Sequence, residues 1–135
     1  MVTSSQRNRA IQVPASWEGS VPEYMVLQAL NRLGLRDGLE FTYQSPLLGG
    51  RMEKGGSVVD FLFNDPPNLG INVQGEYWHY AQGVTKTMSD DMARATLAGQ
   101  GITLIMIDEN DIYKDVDFYV REALRYRDHS KQVGR

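Results

Sequence analysis

The sequence predicts an α/β protein in which a mixed four-stranded sheet is flanked by helices. Residues 102–107 (ITLIMI) form an unbroken apolar run, which is typical of a strand covered on both faces. Two further strand-like segments, SVVDFLF at 57–63 and GINVQ at 70–74, are separated by the turn sequence NDPPN. Helical patterns precede, separate and follow the strands, so the predicted order is α-β-β-β-α-β-α.

The first helix is predicted over residues 21–33, with Ser20 as N-cap, Pro22 in the first turn and Gly34 as the stop. A first strand at 39–47 reaches the second through a glycine-rich connection, which indicates a hairpin.

The second half of the chain predicts a crossover. A helix over 85–99 connects the third strand to the fourth, so these two strands should be parallel and adjacent or nearly so. The last helix is predicted over 115–127, which places helices on both faces of the sheet.

The length of 135 residues indicates one domain, which we assign to residues 21–128. Residues 1–20, rich in Ser, Gln, Asn and Pro, are interpreted as a flexible tail. The alternative, suggested by Arg7 and Arg9, is an arm that binds DNA or a partner. Residues 129–135 are interpreted as a C-terminal tail.

Composition excludes several classes of protein. The absence of cysteine rules out a disulfide framework and a thiolate zinc site, and it fits a reducing compartment. No apolar run approaches the roughly 20 residues of a membrane helix, and the N-terminus lacks a signal-peptide core. We therefore expect a cytoplasmic protein with no membrane partner.

The net charge of −3 gives no protein-wide field that attracts DNA. A local basic face is still available, because residues 121–135 contain five positive and two negative side chains. These are Arg121, Arg125, Arg127, Lys131 and Arg135 against Glu122 and Asp128.

Asp60 is the most informative residue, because it stands inside the apolar strand VVDFLF. A carboxylate buried in a strand costs several kcal/mol unless it is paired or holds a metal. The neighbouring strand ends in a polar, aromatic segment at 74–79, so the pattern favours a divalent-metal site that cuts a phosphodiester. The alternative is an aspartate that faces solvent at a sheet edge.

The third strand offers further oxygen ligands. Asn72 and Gln74 alternate with Ile71 and Val73, so their amides should point to one face and could serve a metal or a phosphate. The backbone carbonyl near Val73 is another ligand candidate, and Mg²⁺ or Mn²⁺ would suit such oxygen donors. A polar, half-exposed strand face is the alternative.

Three other residues could complete the site. His79 could transfer a proton or donate to the phosphate, unless it is structural or merely exposed. Trp78 could stack on a base or pack in the core. Glu23 lies on the same face of the first helix as Leu27 and Leu30, so its carboxylate could face the site. The alternative is a first-turn glutamate that the helix dipole stabilises.

Downstream, Arg94 could orient a phosphate or form a local ion pair with Asp91, three residues before it. Lys86 is a weaker candidate for the same phosphate contact. The acidic run 108–111 is interpreted mainly as a loop, with metal binding as a minor alternative.

Taken in order, these motifs resemble the restriction-endonuclease-like, or PD-(D/E)xK, superfamily over residues 21–125. The branch most similar is that of the very-short-patch-repair endonucleases and their small bacterial and phage relatives. The resemblance rests on five motifs in their order and spacing: Pro22-Glu23, Val59-Asp60-Phe61, Val-Gln-Gly-x-x-Trp-His at 73–79, Asp-x-x-Arg-x-x-Leu at 91–97, and the apolar strand ending in Asp108.

The resemblance implies a restriction-endonuclease-like αβββαβ core and Mg²⁺-dependent endonuclease activity on DNA in a bacterial or phage-infected cell. Asp60 then matches the metal-binding aspartate, Glu23 a first-helix glutamate that assists metal or water, and His79 the histidine of the hydrolytic step. Asn72 and Gln74 fall where the superfamily has its acidic ligand and lysine. Glutamine is tolerated in known branches. Asn72 removes a negative charge from the metal site, where the repair-endonuclease branch uses a backbone carbonyl as ligand, so metal affinity should be lower unless Glu23 or Glu76 compensates.

Two functions therefore follow from the sequence. One is a DNA endonuclease in repair, recombination or phage DNA processing. The other is a nuclease fold that has lost catalysis and serves as a DNA-binding or assembly module, which Asn72 and the acidic pI of about 5.3 favour. A domain of this size often forms a homodimer or works in a larger assembly.

Overall fold

The predicted α/β class is confirmed in a computed structural model, which describes residues 12–45, 59–75 and 91–131. The elements follow in the predicted order. They are α1 (Val21–Arg32), β1 (Phe41–Ser45), β2 (Val59–Phe63), β3 (Leu69–Gln74), α2 (residues 91–98 of the described chain), β4 (Thr103–Asp108) and α3 (Glu109–Leu124).

The four strands form one mixed sheet in the order β1-β2-β3-β4. β1 and β2 are antiparallel with Tyr43 opposite Phe61, and β2 and β3 are antiparallel with Phe61 opposite Ile71. β3 and β4 are parallel, with Ile71 opposite Ile105. The predicted hairpin and the predicted parallel, adjacent crossover pair are therefore both confirmed.

Helices cover both faces of this sheet. α1 and α3 pack on the first face against a core that includes Phe41, Phe61 and Ile71. α2 packs on the second face through Leu97, against Leu104 and Met106. Among the described residues, no helix has the length and apolarity needed to cross a membrane.

Local sequence explains α1. The Ser20 hydroxyl accepts a hydrogen bond from the Glu23 backbone N–H at 3.2 Å, which makes Ser20 the predicted N-cap. Gly34 follows the helix with a φ of +88°, a conformation that favours glycine. The buried residues have helical spacing and turn one side of α1 to the sheet: Pro22, Met25, Val26, Ala29 and Leu30.

The last helix begins six residues earlier than predicted, so the interpretation of residues 108–111 as a loop is wrong. Asp108 is the N-cap of α3, and Glu109 and Asp111 lie in its first turn, where the helix dipole favours negative charge. The helix is kinked at Asp115, whose carboxylate accepts from the Phe118 N–H at 3.1 Å, as an N-cap does. The predicted start at 115 is thus the start of the second half of α3.

The packed region also extends past the boundaries predicted at residues 21 and 128. Trp17 stacks on Tyr43 with ring centroids 4.8 Å apart, and its indole N–H donates to the Ser20 carbonyl at 3.0 Å. Ser130 is buried, and residues 128–131 lie along the outer edge of β4. Residues 17–20 and 129–131 therefore belong to the folded unit, because aromatic stacking and hydrogen bonds to the sheet hold them there.

Candidate functional site

The candidate site is formed where β2 and β3 stop pairing through their backbones. The antiparallel register between the two strands is continuous from Phe63 to Phe61, and Asp60 is the next residue of β2. Here the Asp60 N–H donates to the Asn72 side-chain oxygen at 2.7 Å, and the Val73 N–H donates to the Asp60 carboxylate at 2.8 Å. At this point hydrogen bonds from side chains to the backbone take the place of backbone pairing between the two strands. They hold the Asp60 carboxylate against β3.

This geometry decides the environment of Asp60. β2 is an interior strand of the sheet and Asp60 is partly buried, so it is not an aspartate that faces solvent at an edge. Asp60, Asn72 and Val73, three of the residues singled out in the sequence, are directly connected by hydrogen bonds.

Asn72 and Gln74 lie on the second face of the sheet, as their alternation with Ile71 and Val73 requires. Gln74 is only 5% exposed, and its amide nitrogen donates to the Met106 sulfur at 3.4 Å. The Gln74 amide therefore rests on Met106 of the neighbouring strand β4.

Glu23 approaches from the first face instead. It lies in the first turn of α1, and its carboxylate accepts a hydrogen bond from the Tyr43 hydroxyl. Tyr43 packs against the first-face core and sits opposite Phe61, the residue after Asp60. Glu23 and Gln74 therefore flank the sheet from opposite sides, and Glu23 is tied to β1 rather than to the Asp60–Asn72 pair.

The sequence interpretation missed Tyr43 and Trp17. The signal for Tyr43 was its alternation with Phe41 along β1, which places both side chains on the helix-covered face. Trp17 had no such signal, because its contacts with Tyr43 and Tyr24 depend on the tertiary fold.

Arg94 forms ion pairs with two carboxylates, Asp91 at 3.6 Å and Asp128 at 3.5 Å, and its side chain is 20% exposed. The local pair with Asp91 was the predicted alternative to a phosphate contact, whereas Asp128 was not predicted as a partner. The candidates Trp78, His79 and Lys86, together with Glu76, lie outside the described residues.

The donor chemistry at Asp60 suits a hard cation. It combines the Asp60 carboxylate with the neutral side-chain oxygen of Asn72, and Mg²⁺ needs few protein ligands because it keeps several waters. In the described ranges, no group of three or more His, Asp or Glu side chains is arranged to hold a metal ion. The residues thus fit a weakly held, largely hydrated Mg²⁺ or Mn²⁺.

Shifted pKa values occur on α3, away from Asp60. A hydrogen bond from His129 and the charge of Arg127 lower the pKa of Glu122. Burial, together with Glu109, raises the pKa of Tyr113 to about 12, and burial with Asp111 and Asp115 raises the pKa of Tyr119. These shifts report the internal contacts of α3 and of the segment that follows it.

Comparison with protein-family models, with curated proteins and with solved structures gave no match for this chain.

Proposed function

We propose that the protein is a Mg²⁺- or Mn²⁺-dependent DNA endonuclease built on a restriction-endonuclease-like αβββαβ core. The observation that carries this proposal is the direct connection of Asp60 to Asn72 and Val73 at the break in the β2–β3 ladder. The observed element order and the mixed sheet are compatible with that core.

The Asp60 carboxylate, the Asn72 amide oxygen and the Val73 carbonyl are the groups that would hold the cation. A carboxylate has about four lone-pair directions, so the hydrogen bond from Val73 is compatible with coordination. That same hydrogen bond fixes the orientation of the carboxylate before a cation binds. When bound, such a cation supplies electrostatic stabilisation of the charge that develops on the phosphate.

The remaining roles follow the sequence argument. His79 would transfer a proton or contact the phosphate, and Gln74 would position water or phosphate. Glu23 would assist only indirectly, because the Tyr43 hydroxyl ties it to β1 on the first face. Trp78 and Lys86 would contact the nucleic acid.

The surface after α3 supports DNA as the partner. Glu122 and Asp128, the two acids of this segment, are largely buried and engaged with His129, Arg127 and Arg94. The basic side chains are instead exposed: Arg121, Arg125, Arg127 and Lys131. These exposed basic side chains fit a phosphate backbone.

A second candidate function is an inactive nuclease fold that binds DNA or serves in an assembly, as a homodimer or in a larger complex. The specific observation in its favour is that the candidate site has an amide at position 72, and that no three acidic or histidine ligands converge within the described residues.

Metal-dependent stabilisation separates the two functions. We expect Mg²⁺ or Mn²⁺ to raise the melting temperature of the wild type and of Asp117→Asn, and not that of Asp60→Ala, because a ligand that binds only the native state stabilises it. Asp117 is the matched control, since it is a half-exposed acid of α3 paired with Arg32 of α1.

The activity assay uses supercoiled, branched, mismatched and single-stranded DNA with Mn²⁺. We expect nicking by the wild type and by Asp117→Asn, and none by Asp60→Ala. An equal metal response in Asp60→Ala, or nicking that survives this substitution, would contradict the assignment of the site. Absence of any metal response in the wild type would favour the inactive fold.

A further inference from the structure

The carboxylate of Asp128 connects three parts of the molecule through hydrogen bonds and an ion pair. One of its oxygens accepts from the Met106 N–H at 2.9 Å and lies 3.5 Å from the Arg94 guanidinium. The other accepts from the Ser130 N–H at 2.9 Å and the Ser130 hydroxyl at 2.5 Å. Asp128 thereby connects α2, β4 and the segment after α3, and its side chain is only 11% exposed.

The attachment falls at defined positions of the sheet. Met106 is opposite Asn72 in the parallel register, and the next residue on the same side, Asp108, is opposite Gln74. Asp108 accepts a second hydrogen bond from the segment, donated by the Lys131 N–H at 2.9 Å. The segment thus holds β4 at the two residues that face the amide pair of the candidate site.

Met106 completes the connection. Its N–H donates outward to Asp128, while its sulfur accepts from the Gln74 amide. Two contacts therefore separate Asp128 from Gln74, and a shift of β4 at Met106 would move the group on which Gln74 rests.

We propose that Asp128, together with Arg94, is a positioning residue of the candidate site, fixing β4 so that Met106 orients Gln74. This inference rests on the proposed function for its catalytic consequence. It also gives Arg94 a role different from the nucleic-acid contact that the sequence suggested.

The arrangement requires a carboxylate. Both oxygens of Asp128 accept a backbone N–H, one from Met106 and the other from Ser130. An asparagine has a single oxygen, so its NH₂ group would face one of these N–H donors whichever way it turned. Asp128→Asn therefore breaks the attachment with almost no change in side-chain volume.

The test compares Asp128→Asn with Asp117→Asn, which removes the charge from another acid that joins two helices through an arginine. The readout is the NMR signal of the Gln74 side-chain amide, identified by its absence in Gln74→Glu. We expect this signal to shift in Asp128→Asn and not in Asp117→Asn. Hydrogen exchange of the Met106 amide should accelerate by about tenfold or more in Asp128→Asn alone.

Activity gives a separate measurement. For a positioning residue, kcat for nicking should fall on the order of 10- to 100-fold in Asp128→Asn while KM stays unchanged. If Asp128→Asn does not fold, Arg94→Gln keeps the backbone hydrogen bonds of Asp128 and should move the Gln74 signal in the same direction to a smaller extent.

The two proposals can fail independently. A Gln74 signal that stays in place in folded Asp128→Asn, or in Arg94→Gln when Asp128→Asn does not fold, overturns the positioning role. So does nicking at the wild-type kcat, and in both cases the proposed function survives. A shifted Gln74 signal without nicking by any variant, wild type included, upholds the positioning of Gln74 and counts against the proposed function.

Discussion

The two faces of the sheet bury different kinds of side chain. On the first face, Phe41, Phe61 and Ile71 pack beneath α1 and α3 in a continuous apolar core. On the second face, the apolar contacts of Leu97, Leu104 and Met106 give way to the buried amide of Gln74 and to Asn72. The first face resembles an ordinary protein interior, whereas the second carries polar groups whose burial has a free-energy cost.

The change from apolar to polar on the second face follows the strands. At Gly70 the face is tightly packed, since a Cβ there would lie 3.0 Å from Val59 and 3.3 Å from Leu104. Two residues further along β3, Asn72 receives the N–H of Asp60. The first face has the larger apolar core, while the second face carries a polar cluster at the point where the backbone pairing of β2 and β3 ends.

The largest effect should come from the first face. We expect Phe61→Ala to lower the free energy of unfolding by about 3–5 kcal/mol, because it leaves a cavity beneath α1 beside Phe41 and Tyr43. Urea unfolding measures this loss. Leu39→Ala is the control, because Leu39 is 66% exposed and its truncation should change stability by no more than about 0.5 kcal/mol.

Similar losses of stability in Phe61→Ala and Leu39→Ala would contradict a dominant contribution of the first-face core to the free energy of unfolding.

Placing an acid on the second face should have a smaller effect of a different kind. Asn72→Asp places a second carboxylate opposite Asp60, so without metal we expect a loss of about 0.2–1 kcal/mol from like-charge repulsion. Mn²⁺ should raise the melting temperature of the variant more than that of the wild type, because the second charge raises the affinity for the cation. Thermal unfolding with and without Mn²⁺ measures both changes.

Thr42→Asp adds the same charge on the exposed side of β1 and should leave the metal response at the wild-type level. If Asn72→Asp responded to Mn²⁺ no more than Thr42→Asp, a cation site beside Asp60 would be ruled out.

The sequence predicted those parts of the fold that depend on local pattern. The apolar run of β4 and the helix before it were sufficient to infer the parallel pairing with β3. The acidic run at 108–111 misled the prediction of α3, because the same residues favour both a loop and a helix N-terminus. In the structure the run directly follows β4, and it begins the helix instead of forming a loop.

Contacts between distant segments could not be predicted in this way. The proximity of Asp60 to Asn72 and Val73 follows from pairing neighbouring strands, so the pattern was enough. The attachment of Glu23 to Tyr43 and of Asp128 to Met106 joins residues 20 and 22 positions apart, and no periodicity marks those pairs. They depend on how α1 and the segment after α3 pack on the completed sheet.

The smallest predicted effect concerns a buried acid on the helix that covers the first face. Glu122 is 8% exposed, and its carboxylate lies 2.9 Å from the His129 ring nitrogen and 3.0 Å from the Arg127 guanidinium. These partners lower the pKa of Glu122 below its ordinary value of 4.5. A buried acid on this face is thus compensated by neighbouring positive groups, in a structural role.

The lowered pKa fixes the sign of the pH dependence. A carboxyl whose pKa is lower in the folded state contributes stability that is fully present above pH 4.5 and is lost as the pH falls through the folded value. We therefore expect the wild type to lose more stability than Glu122→Gln between pH 5 and the acid limit of folding, as measured by urea unfolding at each pH. Glu18→Gln, which changes an exposed acid, should follow the wild-type curve, and a Glu122→Gln curve parallel to the wild type would show that the carboxylate contributes no pH-dependent stability.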